Sequence, residues 1–147
     1  FLDFIEKKKL QPAKSFSKEE LVQFCILSFN GGISQNNAGA GLCHALSHSA
    51  EEITELPHSV CVSYFIKPTL DYISFTDKDL LNIFGKNLHK NIQDIFQYLE
   101  ATVDFSELNN LTSSNESLEM LYEKACQDPC WRLFYKKIDR SILSTFF

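Results

Sequence analysis

The 147-residue chain carries 14 Lys and Arg against 19 Asp and Glu, a formal net charge of −5, with 44% hydrophobic and 22% charged residues. Roughly two-thirds of the unfolded surface is buried at such a length, so a core can form with neither a metal nor a disulfide as a staple. The acidic balance argues against nucleic acid and against an anionic membrane as partners, and the near-average composition excludes disordered and fibrous classes.

Five cysteines, an odd number, follow no basic-then-apolar leader, which points to reduced thiols in a cytoplasmic setting rather than a secreted disulfide framework. No apolar run approaches the roughly 18 residues of a membrane span. Even Val60 to Ile66 is interrupted by Ser63 and followed by Lys67 and Pro68. The chain opens on Phe1, and Phe1 to Lys14, with its Lys7 to Lys9 charge run, reads as a short helix with a basic tail. A fragment of a longer protein is therefore expected, with residues 1–147 forming a single helical domain.

Ser17-Lys18-Glu19-Glu20 has the pattern of a capping box, in which the Ser17 hydroxyl and the Glu20 carboxylate each satisfy the other residue's amide. A helix starts there, and Leu21, Phe24, Cys25, Leu27 and Ser28 give it enough apolar character to predict burial of most of its surface. Gly31 and Gly32 predict either its end or a close neighbouring backbone. From Ala38 to Leu56 small apolar residues suit a crowded central helix, which Pro57 is expected to close. His58 to Leu70 predicts the next helix, with Pro68 ending or kinking it.

Thr76, with Asp77 and Asp79 behind it, predicts an N-cap for a helix running to Phe84 and stopped by Gly85. Leu88, Ile92, Ile95, Phe96 and Leu99 recur at helical intervals and predict an amphipathic helix ending near Ala101. Asn109 to Asn115 is rich in Asn, Ser and Thr and predicts a loop. Leu118, Leu121, Tyr122 and Ala125 mark a further helix, Asp128-Pro129 breaks it, and Ile138 to Phe146 predicts a last short one. No alternation of strand and helix signals occurs, so the expected class is all-α.

The chemistry-bearing pattern is a histidine cluster. His44 and His48 are four apart and emerge about 40° from each other on one helix face, while His58 follows Pro57 where the chain has turned and a ring can point back. Convergent neutral imidazoles can form a wall for a transition metal, although each ring could equally serve as an ordinary hydrogen-bonded residue. Residue 45 is Ala where the zincin motif needs Glu, so a zinc hydrolase of that type lacks support.

The run Asn36-Asn37-Ala38-Gly39-Ala40-Gly41-Leu42-Cys43-His44-Ala45-Leu46-Ser47-His48, then Pro57-His58, resembles the histidine signature of the iron-containing (group III) alcohol dehydrogenases. Ala125-Cys126-Gln127-Asp128-Pro129-Cys130 resembles the way those chains finish. The resemblance implies a helical bundle like the C-terminal domain of dehydroquinate synthase-like and iron-containing alcohol dehydrogenases. It also implies a missing N-terminal nucleotide-binding domain that binds NAD or NADP. By that analogy His44 and His58 hold a divalent metal, Fe or Zn, and His48 is catalytic, relaying a proton near the nicotinamide. The substrate would be a small alcohol or aldehyde, its oxygen polarised by the metal. The family's other two ligands, spaced Asp-x-x-x-His, have no counterpart here, the Gly after the last ligand is Ser59, and no Gly-rich nucleotide loop is present. The chain alone is thus expected to be inactive and to bind metal weakly.

A rival expectation is a non-catalytic, degenerate helical module for interaction or homo-oligomerisation; a third is a small metal-binding hydrolase. A His44, His48, Glu52 face is a further possible metal wall. Cys126 and Cys130, as a lone CxxxC, give a weak zinc signal and more simply fill space. Cys43 and Cys61 flank the histidines as core residues, His89 reads as a surface residue, and the 13 Phe read as core.

Overall fold

The computed structural model describes residues 16–77, 79, 86–134 and 136–147, with backbone alone at 38 and 86–92. Among them every regular element is helical. The order is α1 (Lys18–Ala38), α2 (Leu42–Thr54), α3 (His58–Thr76), α4 (Lys86–Thr102), α5 (Ser106–Thr112), α6 (Asn115–Ala125), α7 (Pro129–Leu133) and α8 (Arg140–Leu143), then a 3-10 turn at Ser144–Phe146. The all-α expectation holds for these residues, and no described helix is long and apolar enough to cross a membrane. The chain divides into two compact units, Phe1–Gly39 and Ala40–Phe147.

In the first unit, α1 starts on the expected capping box: the Glu20 N–H donates to Ser17 Oγ at 3.3 Å and the Ser17 N–H to Glu20 Oε2 at 2.8 Å. Its burial is a correction. Leu21, Val22, Phe24, Ile26, Phe29 and Ile33 are all exposed, Phe29 by 69%. Apolar residues lie on every side of this helix, so no single face is available to sink into a core. Gly31 and Gly32 neither end the helix nor admit a neighbour, since a Cβ at either would meet nothing within 4 Å. The stop is Gly39, whose φ of 77° is one that side-chain-bearing residues rarely adopt and whose N–H donates to the Gln35 carbonyl at 2.8 Å.

The second unit is organised around α2. Leu42, Ala45, Leu46, Ser49 and Ala50 recur at three and four residue intervals and are buried, forming one sharply defined stripe. Their small size lets α3, α6, α7 and α5 all pack on this thirteen-residue helix. The Ser47 and Ser49 hydroxyls donate back to the Cys43 and Ala45 carbonyls at 2.6 and 2.8 Å, so burying them leaves no orphaned donor. Cys61, Phe65 and Tyr72 of α3, Leu108 of α5, Leu121, Tyr122 and Ala125 of α6, and Leu143 of α8 complete the core.

Phenols tie the later segments to it. Tyr64 Oη lies 2.7 Å from Thr112 Oγ1, the Asp139 N–H donates to Tyr72 Oη at 2.9 Å, and Tyr122 Oη lies 3.2 Å from Ser144 Oγ.

Several boundaries differ from expectation. α2 ends at Thr54, closed by Glu55 in the left-handed region at φ 58°, and Pro57 instead caps the start of α3. Pro68 neither ends α3 nor blocks burial there: the helix runs on to Thr76, because the ring is itself packed against the core and removes one intrahelical bond only. Thr76 is the last residue of α3 rather than an N-cap, its hydroxyl donating to the Tyr72 carbonyl at 2.8 Å. The loop expected from Asn109 to Asn115 shrinks to Ser113 and Ser114, since Leu108, Leu111 and Thr112 are buried as one face of α5. The helices expected at Phe1 to Lys14 and up to Phe84 and Gly85, and the His89 side chain, lie outside the described residues.

Candidate functional site

The site grows from the unburied side of α2 and the turn that follows. With Leu42, Ala45, Leu46 and Ala50 committed to the core, the helical period leaves His44, His48, Glu51 and Glu52 facing away. Glu55, held at φ 58°, folds the chain back, and Pro57 at φ −56° launches α3 so that His58 is its first residue. The returning His58 Nδ1 lies 3.1 Å from Glu51 Oε2 on α2.

These elements bring the three imidazoles together. Ring centres are 5.8 Å apart for His44 and His48, 5.5 Å for His44 and His58, and 5.1 Å for His48 and His58. Three imidazoles thus share one patch, but among the described residues the His, Cys, Asp or Glu group whose ligand atoms all lie within 4.8 Å of one another is His48, Asp128 and Cys130, so a common ion would need the His44 and His58 rings to turn. The His48 and His58 side chains keep 41% and 43% of their exposure, which leaves the cluster open to small solutes.

Two of the rings are oriented by carboxylates. Glu51 serves His58, and Asp128, at the cap of α7, lies 2.9 Å from His48 Nδ1 through Oδ2. The Asp128 Oδ1 accepts the Cys130 N–H at 2.7 Å. Partial burial opposes ionisation of Asp128, but the hydrogen bonds from His48 and the Cys130 amide outweigh it and hold the carboxyl below its ordinary value. Asp128 is therefore ionised at neutral pH, and its short contact is one in which His48 Nδ1 carries the proton. Carboxylates that fix one ring nitrogen and leave the other outward are the usual support of metal-binding histidines. Burial, then the neighbouring His58 and His48 charges, push the His44 pKa down against a smaller opposing pull from Asp128. His44 is thus kept neutral, the form in which imidazole coordinates a metal.

The other candidates fall elsewhere. Glu52 receives Lys124 Nζ at 2.8 Å, and both help line a polar cavity of about 290 Å³ with His48, Ser49, Gln127 and Asp128. Cys126 and Cys130 have separate partners: Arg140 donates to Cys126 Sγ at 2.7 Å, whereas Cys130 sits with His48 and Asp128, their ligand atoms within 4.8 Å of one another. That second group is a poor metal trio, because burial and the adjoining Asp128 charge raise the Cys130 thiol to about 11 while a metal takes thiolate. Cys43 is likewise raised to about 11 by burial, and none of the five cysteines is in a disulfide.

Asp128 and Glu51 are the imidazole partners that sequence reasoning passed over. Asp before Pro at the first turn of a helix is a capping signature, which accounts for one Asp128 oxygen, but its reach to His48 spans 80 residues and has no local signal. No protein-family model, curated protein or solved structure matches the chain.

Proposed function

We propose that this chain is the helical, metal-binding part of a divalent-metal-dependent, NAD(P)-linked alcohol dehydrogenase or aldehyde reductase, with the bundle of the iron-containing alcohol dehydrogenases and dehydroquinate synthase-like proteins. The observation that supports it most is the gathering of His44, His48 and His58 within 5.1–5.8 Å, ring centre to ring centre. His44 and His58 would hold Fe or Zn, and the ligands still needed would be an Asp-x-x-x-His pair upstream of the His44 position, which residues 1–147 do not contain. The chemistry such an ion supplies when bound is Lewis-acid polarisation of an alcohol or carbonyl oxygen.

What this chain's own residues contribute follows from the geometry. Glu51 orients the His58 ring and the burial of His44 keeps it unprotonated. Asp128 fixes the proton of His48 on Nδ1, so Nε2 is the nitrogen that can take a proton from a substrate hydroxyl or pass one to solvent.

Zinc titration of the full chain by calorimetry tests the ligand assignment. Weak binding is expected, abolished by His44→Ala or His58→Ala and retained by His48→Ala. In the protein carrying its nucleotide-binding domain, His48→Ala should keep the metal and slow turnover. Unchanged zinc affinity in both ligand variants would overturn the assignment.

A second reading rests on a different observation, the exposed apolar residues of α1: a non-catalytic module for association with itself or another protein. It requires the chain to sediment as an oligomer that Phe29→Ser and Ile33→Ser together dissociate, with no metal bound; a monomeric wild-type chain removes its self-association form.

A further inference from the structure

Four of the chain's 14 basic residues fall between positions 132 and 140. Arg132, Lys136, Lys137 and Arg140 all line one cavity of about 510 Å³, and among the described residues no carboxylate shares its wall. A concentration of this kind is unexpected in a chain with a net charge of −5. The nearby acids are individually committed. Asp77 pairs with Lys136 at 2.6 Å and Glu119 with Arg140 at 3.3 Å, while Asp139 Oδ1 accepts the Ser141 and Ile142 amides that start α8. Arg132 and Lys137 form no ion pair within 4.0 Å among the described residues.

The cavity therefore has two cations anchored by ion pairs and two, Arg132 and Lys137, without one, although Lys137 lies close enough to Asp139 to favour its ionised form. Arg140 is held in place by Cys126 Sγ at 2.7 Å and by the Tyr122 ring, whose centre is 5.9 Å from its guanidinium carbon. Lys136 also donates to the Thr76 carbonyl at 3.3 Å. Trp131 and Phe134 supply apolar wall between the charges. Guanidinium and ammonium groups converging beside aromatic rings suit a ligand with a phosphate at one end and a flat or apolar body at the other.

We infer that this pocket binds a phosphorylated small molecule, its phosphate between Arg132 and Lys137 and its body against Trp131 and Phe134. The inference stands apart from the imidazole cluster, since none of His44, His48 and His58 lines the cavity. Phosphate contacts from two cations account for most of the affinity, so both added salt and charge removal should weaken binding.

Calorimetric titration of the full chain with ADP, inorganic phosphate and adenosine, at low and raised sodium chloride, tests it. ADP should bind most tightly, phosphate more weakly and adenosine least, with ADP affinity falling as salt rises. Arg132→Gln with Lys137→Gln should weaken ADP by at least about tenfold. Both side chains are exposed, so the fold should survive, which circular dichroism checks. Trp131→Ala should weaken ADP while leaving inorganic phosphate unchanged. Lys18→Gln, at an exposed lysine of the first unit that does not line this cavity, should alter nothing. Undiminished ADP binding in the double variant, an equal loss in Lys18→Gln, or phosphate binding as tightly as ADP would each overturn the proposal.

Discussion

Two helices of this chain share a high apolar content and meet opposite fates. α1 carries Leu21, Val22, Phe24, Ile26, Phe29 and Ile33, larger side chains than most of α2 offers, and all of them are exposed. α2 contributes mainly Leu and Ala to its apolar face, yet Leu42, Ala45, Leu46 and Ala50 are at most 1% exposed. Arrangement explains the difference better than amount. A helix that is apolar all round has no side to give to solvent, whereas segregation lets one side pack and frees the other for polar work. In α2 the freed side is where His44, His48, Glu51 and Glu52 stand.

The contrast can be broken from either side. Phe65→Ala in α3, at a side chain with no exposure, should destabilise the chain by about 3–5 kcal/mol, read as a lower urea midpoint. Ala45→Leu should cost about 1–3 kcal/mol by overpacking the face that admits the neighbouring helices. If Ala45→Leu proves neutral, close approach at α2 is not what organises the second unit.

Asp128→Ala removes a helix cap and should cost about 0.5–2 kcal/mol. That contribution has a defined pH range. The folded Asp128 pKa lies below its unfolded value, so its stabilisation is present above about pH 4 and disappears as pH falls through the lowered folded value. Asp128→Ala should accordingly flatten the acid limb of a stability-versus-pH curve. The smallest effect belongs to α1: Phe29→Ala, at a side chain 69% exposed, should change stability by no more than about 0.5 kcal/mol. A loss comparable to that of Phe65→Ala would mean that α1 is covered in solution.

The sequence carried the helical class and the histidine grouping because both rest on short-range spacing. His44 and His48 share a face by helical arithmetic, and Pro57 signalled the turn that returns His58. α5 was obscured because Asn109, Asn110 and Ser113 carry the vocabulary of loops, while Leu108 and Leu111 supply only one turn of periodicity. Pro68 is the opposite case: of the two effects expected of it, ending α3 does not occur, a local penalty being outweighed by tertiary packing of its ring. The partners of the imidazoles divide in the same way. Glu51 lies seven residues from His58 and close enough to be foreseen, whereas Asp128 reaches His48 only through the packed arrangement of α2 and α7.

The Tyr72 phenol that receives the Asp139 amide has a kinetic consequence. The two residues are 67 apart in the chain, so this junction cannot form until a long intervening loop has been closed at an entropic cost that α2 and α3, joined by a three-residue turn, never meet. Assembly should begin with that helical hairpin and finish with the carboxy-terminal strap fastening across it. A chain caught part-way would hold its imidazoles side by side while the segment from Asp139 to Phe147 was still unfastened.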